Sequence, residues 1–158
     1  PLLLGGEQER ARRAGLENPP AIAGFGAVCA ALTPEVLASE ETLARQQTIR
    51  LATGLSALDG VTLYGHPNYR LPHLVCLGID GVEPQAVLLG LDRLGIAAHS
   101  GSACASEGLE PSPVLEAMGV DAHRSLRLSV GWTTTDDDVE DVLEAVSQVL
   151  AELRALRP

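Results

Sequence analysis

The apolar positions of this chain recur at two periods, and the period switches at glycine and proline. Between Ser125 and Val130 the alternation is strict: Leu126, Leu128 and Val130 point one way, Ser125, Arg127 and Ser129 the other. That is the period-two signature of a strand with one buried face. Downstream, Val139, Val142, Leu143, Val146, Val149, Leu150, Leu153 and Leu156 fall at helical spacing. This last helix opens at Thr133–Asp138 and carries Arg154 and Arg157 near its end, which complements the helix dipole at both termini.

Upstream, Thr33-Pro34 supplies an N-cap residue and a first-turn proline, which predicts a helix running to Leu58 with Gly60 as terminator. Extended segments are predicted at Val61–Tyr64 and His73–Ile79. Glu83-Pro84 opens a further helix, with Val87, Leu88, Leu91 and Leu94 on one face and Gly95 closing it. Ile96–His99 reads as a short strand, and Val114–Met118 as a short helix ended by Gly119. Residues 1–31 are rich in glycine and proline and show no core of their own, with turn-like Gly15-Leu-Glu-Asn-Pro-Pro20 near the middle. The expected fold is α/β or α+β, helices packed on a small, mostly antiparallel or mixed sheet. The expected division is a segment 1–31 followed by a domain 32–158.

Composition narrows the function classes. The chain has 158 residues, of which 46% are hydrophobic and 3% aromatic, so its core is built from Leu, Val and Ala. No apolar run reaches the roughly 18 residues that span a bilayer. No signal peptide is evident, and the expectation is a soluble, cytoplasmic protein. A formal net charge of -10 argues against nucleic acid and acidic membranes as partners. All eleven basic residues are arginine; without lysine, no side-chain amine can form a Schiff base.

Three cysteines, Cys29, Cys76 and Cys104, are spaced too widely for a Cys-x-x-Cys metal or redox motif, and no metal site is expected. Cys29 and Cys76 lie in apolar runs and read as structural. Cys104 lies in His99-Ser-Gly-Ser-Ala-Cys-Ala-Ser-Glu-Gly-Leu-Glu-Pro-Ser-Pro113, a stretch of small and turn-forming residues that reads as an exposed loop. It is either a reactive thiol or an incidental surface one. Arg127 stands mid-strand between two small serines. It is either a bidentate carboxylate clamp, for which lysine could not substitute, or an ordinary arginine on a solvated sheet face.

Those segments resemble a known family. His99-Ser-Gly-Ser-Ala-Cys-Ala-Ser106, Leu109-Glu-Pro-Ser-Pro-Val-Leu115 and Ser125-Leu-Arg-Leu-Ser-Val-Gly131 are similar to consecutive segments of cysteine desulfurases, in the subgroup whose catalytic cysteine lies on a long flexible loop. Gly5-Gly-Glu-Gln-Glu9, Arg13-Ala-Gly-Leu-Glu-Asn18, Arg70-Leu-Pro-His73 and Gly81-Val-Glu-Pro-Gln85 extend the likeness over nearly the whole chain, in order.

The resemblance implies the C-terminal small domain of a fold-type-I pyridoxal-phosphate enzyme, with residues 1–31 as the tail of the large, cofactor-binding domain. It implies that Cys104 attacks the sulfur of L-cysteine, that alanine leaves, and that a persulfide on Cys104 passes to a sulfur-acceptor protein. Arg127 takes the place of the residue that binds the substrate carboxylate. The cofactor lysine belongs to an upstream domain, so this chain alone is expected to be inactive, as a fragment or half of a split enzyme that forms a homodimer. Leu16 stands where the family has a threonine that contacts the cofactor phosphate, and leucine cannot donate that bond. Two alternatives stay open: a non-catalytic sulfur-relay or interaction module, and a related lyase or aminotransferase acting on another amino acid.

Overall fold

The structure, a computed structural model, describes residues 3–100 and 111–156. It divides into two compact units, Pro1–Ser39 and Glu40–Pro158, with the dividing point inside a helix.

The first unit holds a single left-handed turn α1, Gln8–Ala11, a helix α2, Pro19–Ala31, and the start of α3, Pro34–Ser56. The sequence reading took Pro19-Pro20 for a turn; both prolines instead sit in the first turn of α2. Backbone N–H groups have no intrahelical acceptor there, so their loss costs nothing. The Asn18 side chain caps the helix by accepting from the Ala21 N–H at 3.2 Å. None of the α2 residues is buried within its unit; Ile22 and Phe25 are among the exposed apolar side chains.

The second unit has a three-stranded antiparallel sheet in the order β1 (Val61–Tyr64), β2 (Leu74–Ile79), β3 (Ser125–Ser129). The helices are the rest of α3, α4 (Pro84–Arg93), the short α5 (Pro113–Ala117) and α6 (Asp136–Ala155). This is the small sheet with packed helices that the periodicity predicts. One sheet face is covered: Val75, Leu77 and Ile79 of β2 and Leu126 and Leu128 of β3 meet Leu51 and Leu55 of α3, Leu91 of α4 and Val146 and Leu150 of α6. All of these are 5% exposed or less, so each contributes on the order of 2 kcal/mol by burial.

The helix ends follow local chemistry. Thr135 and Asp138 form a reciprocal capping box on α6, the Thr135 N–H donating to Asp138 Oδ2 at 2.7 Å and the Asp138 N–H to Thr135 Oγ1 at 3.1 Å. The bond from the Thr135 N–H, and a second from the Thr135 hydroxyl to the same Asp138 Oδ2 at 2.8 Å, favour the ionised carboxylate and hold the Asp138 carboxyl below its usual range. α4 closes at Gly95, which has φ of 79°. There the Ile96 N–H donates to Leu91 O and the Gly95 N–H to Asp92 O, a Schellman closure.

That closure explains one departure from the sequence reading. The Ile96 N–H is consumed by the helix end and cannot join a ladder, so Ile96–His99 is not a strand. Within that stretch only His99 pairs, as an isolated antiparallel bridge to Arg127.

Candidate functional site

The face of the sheet opposite the core carries a row of four paired residues. Tyr64 of β1 pairs with Cys76 of β2, Cys76 with Arg127 of β3, and Arg127 with His99. Residues paired across an antiparallel ladder share a face, so the pleat that sends Val75, Leu77, Leu126 and Leu128 into the core sends this row the other way. The backbone bonds at the end of the row are short: the Arg127 N–H donates to His99 O at 2.6 Å and the His99 N–H to Arg127 O at 3.2 Å. Arg127 therefore rises from backbone held on both sides, although it stands on the last strand of the sheet.

Above this face lies a cleft of about 800 Å³. Tyr64, Cys76 and Arg127 line its floor, the turn with His66, Tyr69 and Arg70 one wall, and α5 with Leu115 and Met118 another. The turn is built locally: His66 Nδ1 accepts from the Asn68 and Tyr69 N–H groups at 3.1 and 3.0 Å, and the His66 and Tyr69 rings lie 4.7 Å apart. Gly78 lets Tyr64 lie across the sheet, since a Cβ there would fall 2.1 Å from the Tyr64 hydroxyl oxygen.

The electrostatics centre on Arg127, which is half-buried. Among the described residues its guanidinium forms no hydrogen bond and no ion pair, whereas Arg45, Arg50 and Arg124 each hold a carboxylate. A guanidinium left unpaired at the floor of a cleft offers two parallel donors to an incoming anion. Nearby, Arg70 Nη1 is buried without a hydrogen-bond partner among the described residues. Burial pushes the Cys76 thiol above its usual range, and the adjacent Arg127 charge offsets this only in part. Burial, then the Asp121 and Asp80 carboxylates, likewise raise the Tyr64 phenol.

The sequence-derived candidates fall in different places. Arg127 is in the cleft. Cys104 lies outside the described residues. Leu16 is 88% exposed in the first unit, on no described site. The polar face of β3 is graded in exposure: Ser125 is 1% exposed, Arg127 half-buried and Ser129 exposed. One expectation needs correction. Cys29, taken for a buried structural residue, is exposed, because apolar sequence neighbours bury a helical cysteine only when another element covers that helix.

Tyr64, Cys76 and Arg70 were not singled out for this cleft. The signal for Cys76 was nevertheless present, since period two puts it opposite Val75 and Leu77. For Tyr64 and Arg70 the pairing register and the turn geometry were needed.

Comparisons with known proteins agree with this architecture. The profile of the aminotransferase class-V family matches residues 5–142. The chain is 45% identical to the cysteine desulfurase IscS of Methanosarcina thermophila and 39% identical to the cysteine desulfurase NifS of Azotobacter vinelandii, covering all of this chain and 40% of each relative. A crystal structure of a NifS-like protein from Rickettsia africae superposes with a TM-score of 0.81 at 31% identity, over 96% of this chain and 40% of that one. The chain thus spans about 40% of the length of the relatives it matches. With most of its length matched by the family profile and its fold shared with a NifS-like structure, this chain belongs to the aminotransferase class-V family.

Proposed function

We propose that the complete protein is a pyridoxal-phosphate-dependent cysteine desulfurase, to which this chain contributes the carboxylate clamp and the sulfur-accepting thiol. The half-buried guanidinium of Arg127 at the floor of the cleft, unpaired among the described residues, carries the reading. A free amino acid presents a carboxylate that such a fork can orient by two bonds. The cysteine desulfurase relatives support L-cysteine as the substrate.

The residues present do not fit covalent attachment of the cofactor. The chain has no lysine, and Leu16 offers no donor to a phosphate, so carriage of pyridoxal phosphate falls to the remainder of the protein. When bound there, the cofactor supplies an electron sink for bond breaking at the substrate carbons.

The work of this chain is positional and nucleophilic. Arg127 holds the carboxylate, which aligns the substrate sulfur. The Cys104 thiolate attacks that sulfur: an S–S bond forms, the substrate Cβ–S bond breaks, and its electron pair stays on carbon, which takes a proton to give alanine. Cys104 is left as a persulfide, ready for a thiol of a sulfur-acceptor protein in iron–sulfur or thio-cofactor assembly. The working form is proposed to be a cytoplasmic homodimer.

The test uses the full-length protein incubated with L-cysteine, with alanine quantified and the persulfide mapped by mass spectrometry. Alanine and a persulfide on Cys104 are expected, and Cys104→Ser abolishes both while cysteine still binds. A serine variant that desulfurates at near wild-type rate refutes the role of the thiol. Pyruvate or a transaminated product in place of alanine assigns the protein to another reaction of the family.

A further inference from the structure

The charge of the cleft runs against that of the chain. Acidic residues outnumber basic ones by 21 to 11, yet among the described residues that line the cleft there is no aspartate and no glutamate. The lining holds two guanidiniums instead, Arg127 on the floor and Arg70 on the wall. Among the described residues neither side chain has a hydrogen-bond or ion-pair partner, and Arg70 Nη1 is shut off from solvent as well. An exposed arginine such as Arg93 donates to water, whereas a buried N–H without an acceptor has given up water for nothing. The turn that carries Arg70 is held on both sides. Before it, His66 Nδ1 accepts from the Asn68 and Tyr69 N–H groups; after it, the buried Thr48 hydroxyl of α3 donates to Pro72 O at 2.8 Å.

We infer that Arg70 is a second carboxylate-binding residue of the cleft, acting with Arg127 on the α-carboxylate of the amino-acid substrate. This rests on the proposed role of Arg127. A carboxylate has about four lone-pair sites on its two oxygens, and a guanidinium fork fills two of them. The remaining two match the donor that Arg70 leaves unmet. The second contact also does something the first cannot. A ligand held by one fork alone can still pivot about the line through its two oxygens, and a donor from the cleft wall removes that freedom, which orients the rest of the substrate. Two cations without a neighbouring carboxylate also favour the anionic end of a zwitterion over its ammonium, so the substrate enters in one direction.

Labelling of the full-length holoenzyme with phenylglyoxal, which modifies arginine, tests this without turnover. L-Alanine and propionate carry the carboxylate and should slow modification of both Arg70 and Arg127, as peptide mapping would show. Ethylamine, which is alanine without its carboxylate, should slow neither. Three labelling results would each overturn the inference: protection of Arg127 alone, protection of Arg70 by inorganic phosphate but not by propionate, or an Arg70 that resists the reagent with no ligand added. The last would mean that another part of the complete protein supplies its acceptor. In alanine release, Arg70→Gln keeps part of the side-chain stem and loses the charge. It should lower kcat/KM for cysteine about tenfold or more, the worth of a hydrogen bond to a charged group. The unfolding temperature should not fall, since no side-chain bond to a described residue is lost; an unchanged kcat/KM or a lowered unfolding temperature would contradict the assignment. If the wild-type protein releases no alanine from cysteine, the proposed function fails. Protection by propionate then decides Arg70 by itself, and its absence disproves the site.

Discussion

Replacing Arg127 by lysine separates a clamp from a bystander. The guanidinium has no carboxylate or carbonyl partner among the described residues, so the substitution breaks no side-chain bond to any of them. Its backbone bonds to His99, at 2.6 and 3.2 Å, are unaffected by side-chain identity. Stability should therefore change by no more than about 0.5 kcal/mol, as at an uninvolved position. Catalysis is different. A guanidinium fork offers two parallel N–H donors in a fixed plane, whereas an ammonium offers a point charge on a flexible stem. Losing one charge-assisted bond costs about 1.5–3 kcal/mol, which in kcat/KM for cysteine is a fall of about 10- to 150-fold. The assay is alanine release by the full-length protein across substrate concentrations, with thermal unfolding of the same samples as the control. A change in kcat/KM below twofold would show that the cleft does not use this arginine. A large loss with a matching collapse in unfolding temperature would show a structural residue instead.

Two further outcomes are expected. Burial raises the Cys76 thiol while Cys29 is exposed, so under native conditions at neutral pH iodoacetamide should modify Cys76 more slowly than Cys29, as peptide mapping would show; faster modification of Cys76 would contradict the burial. The same raised thiol stabilises the fold fully at neutral pH, and that contribution fades as pH climbs past the usual thiol range, because the unfolded chain ionises first. Gly90→Ala in α4 should lower the unfolding temperature: the new Cβ would sit 2.6 and 3.0 Å from the two methyl groups of buried Val149. The cost of overpacking, about 1–3 kcal/mol, exceeds the gain in helix propensity of about 1 kcal/mol, and a raised unfolding temperature would refute that close approach.

What the sequence by itself determined was local and periodic. Alternation defined β3, helical spacing defined α4 and α6, and glycines at positive φ, Gly60, Gly95 and Gly119, marked the stops. These features are legible because each depends on residues within a turn or two, where sterics and capping act without the rest of the fold. The short segments around Cys104 and Arg127 were specific enough to point to a family. Tertiary structure decided what each face meets. The alternation separates Ser125 and Arg127 from the leucines, but it does not distinguish a buried serine bonded to Ser100 from a solvated one, since burial depends on a neighbour 25 residues away. Pairing register brought Tyr64, Cys76, Arg127 and His99 into one row, and no local rule relates those four positions. Cys29 and Cys76 sit in similarly apolar runs yet differ in exposure, because burial belongs to the packed layer and not to the sequence window.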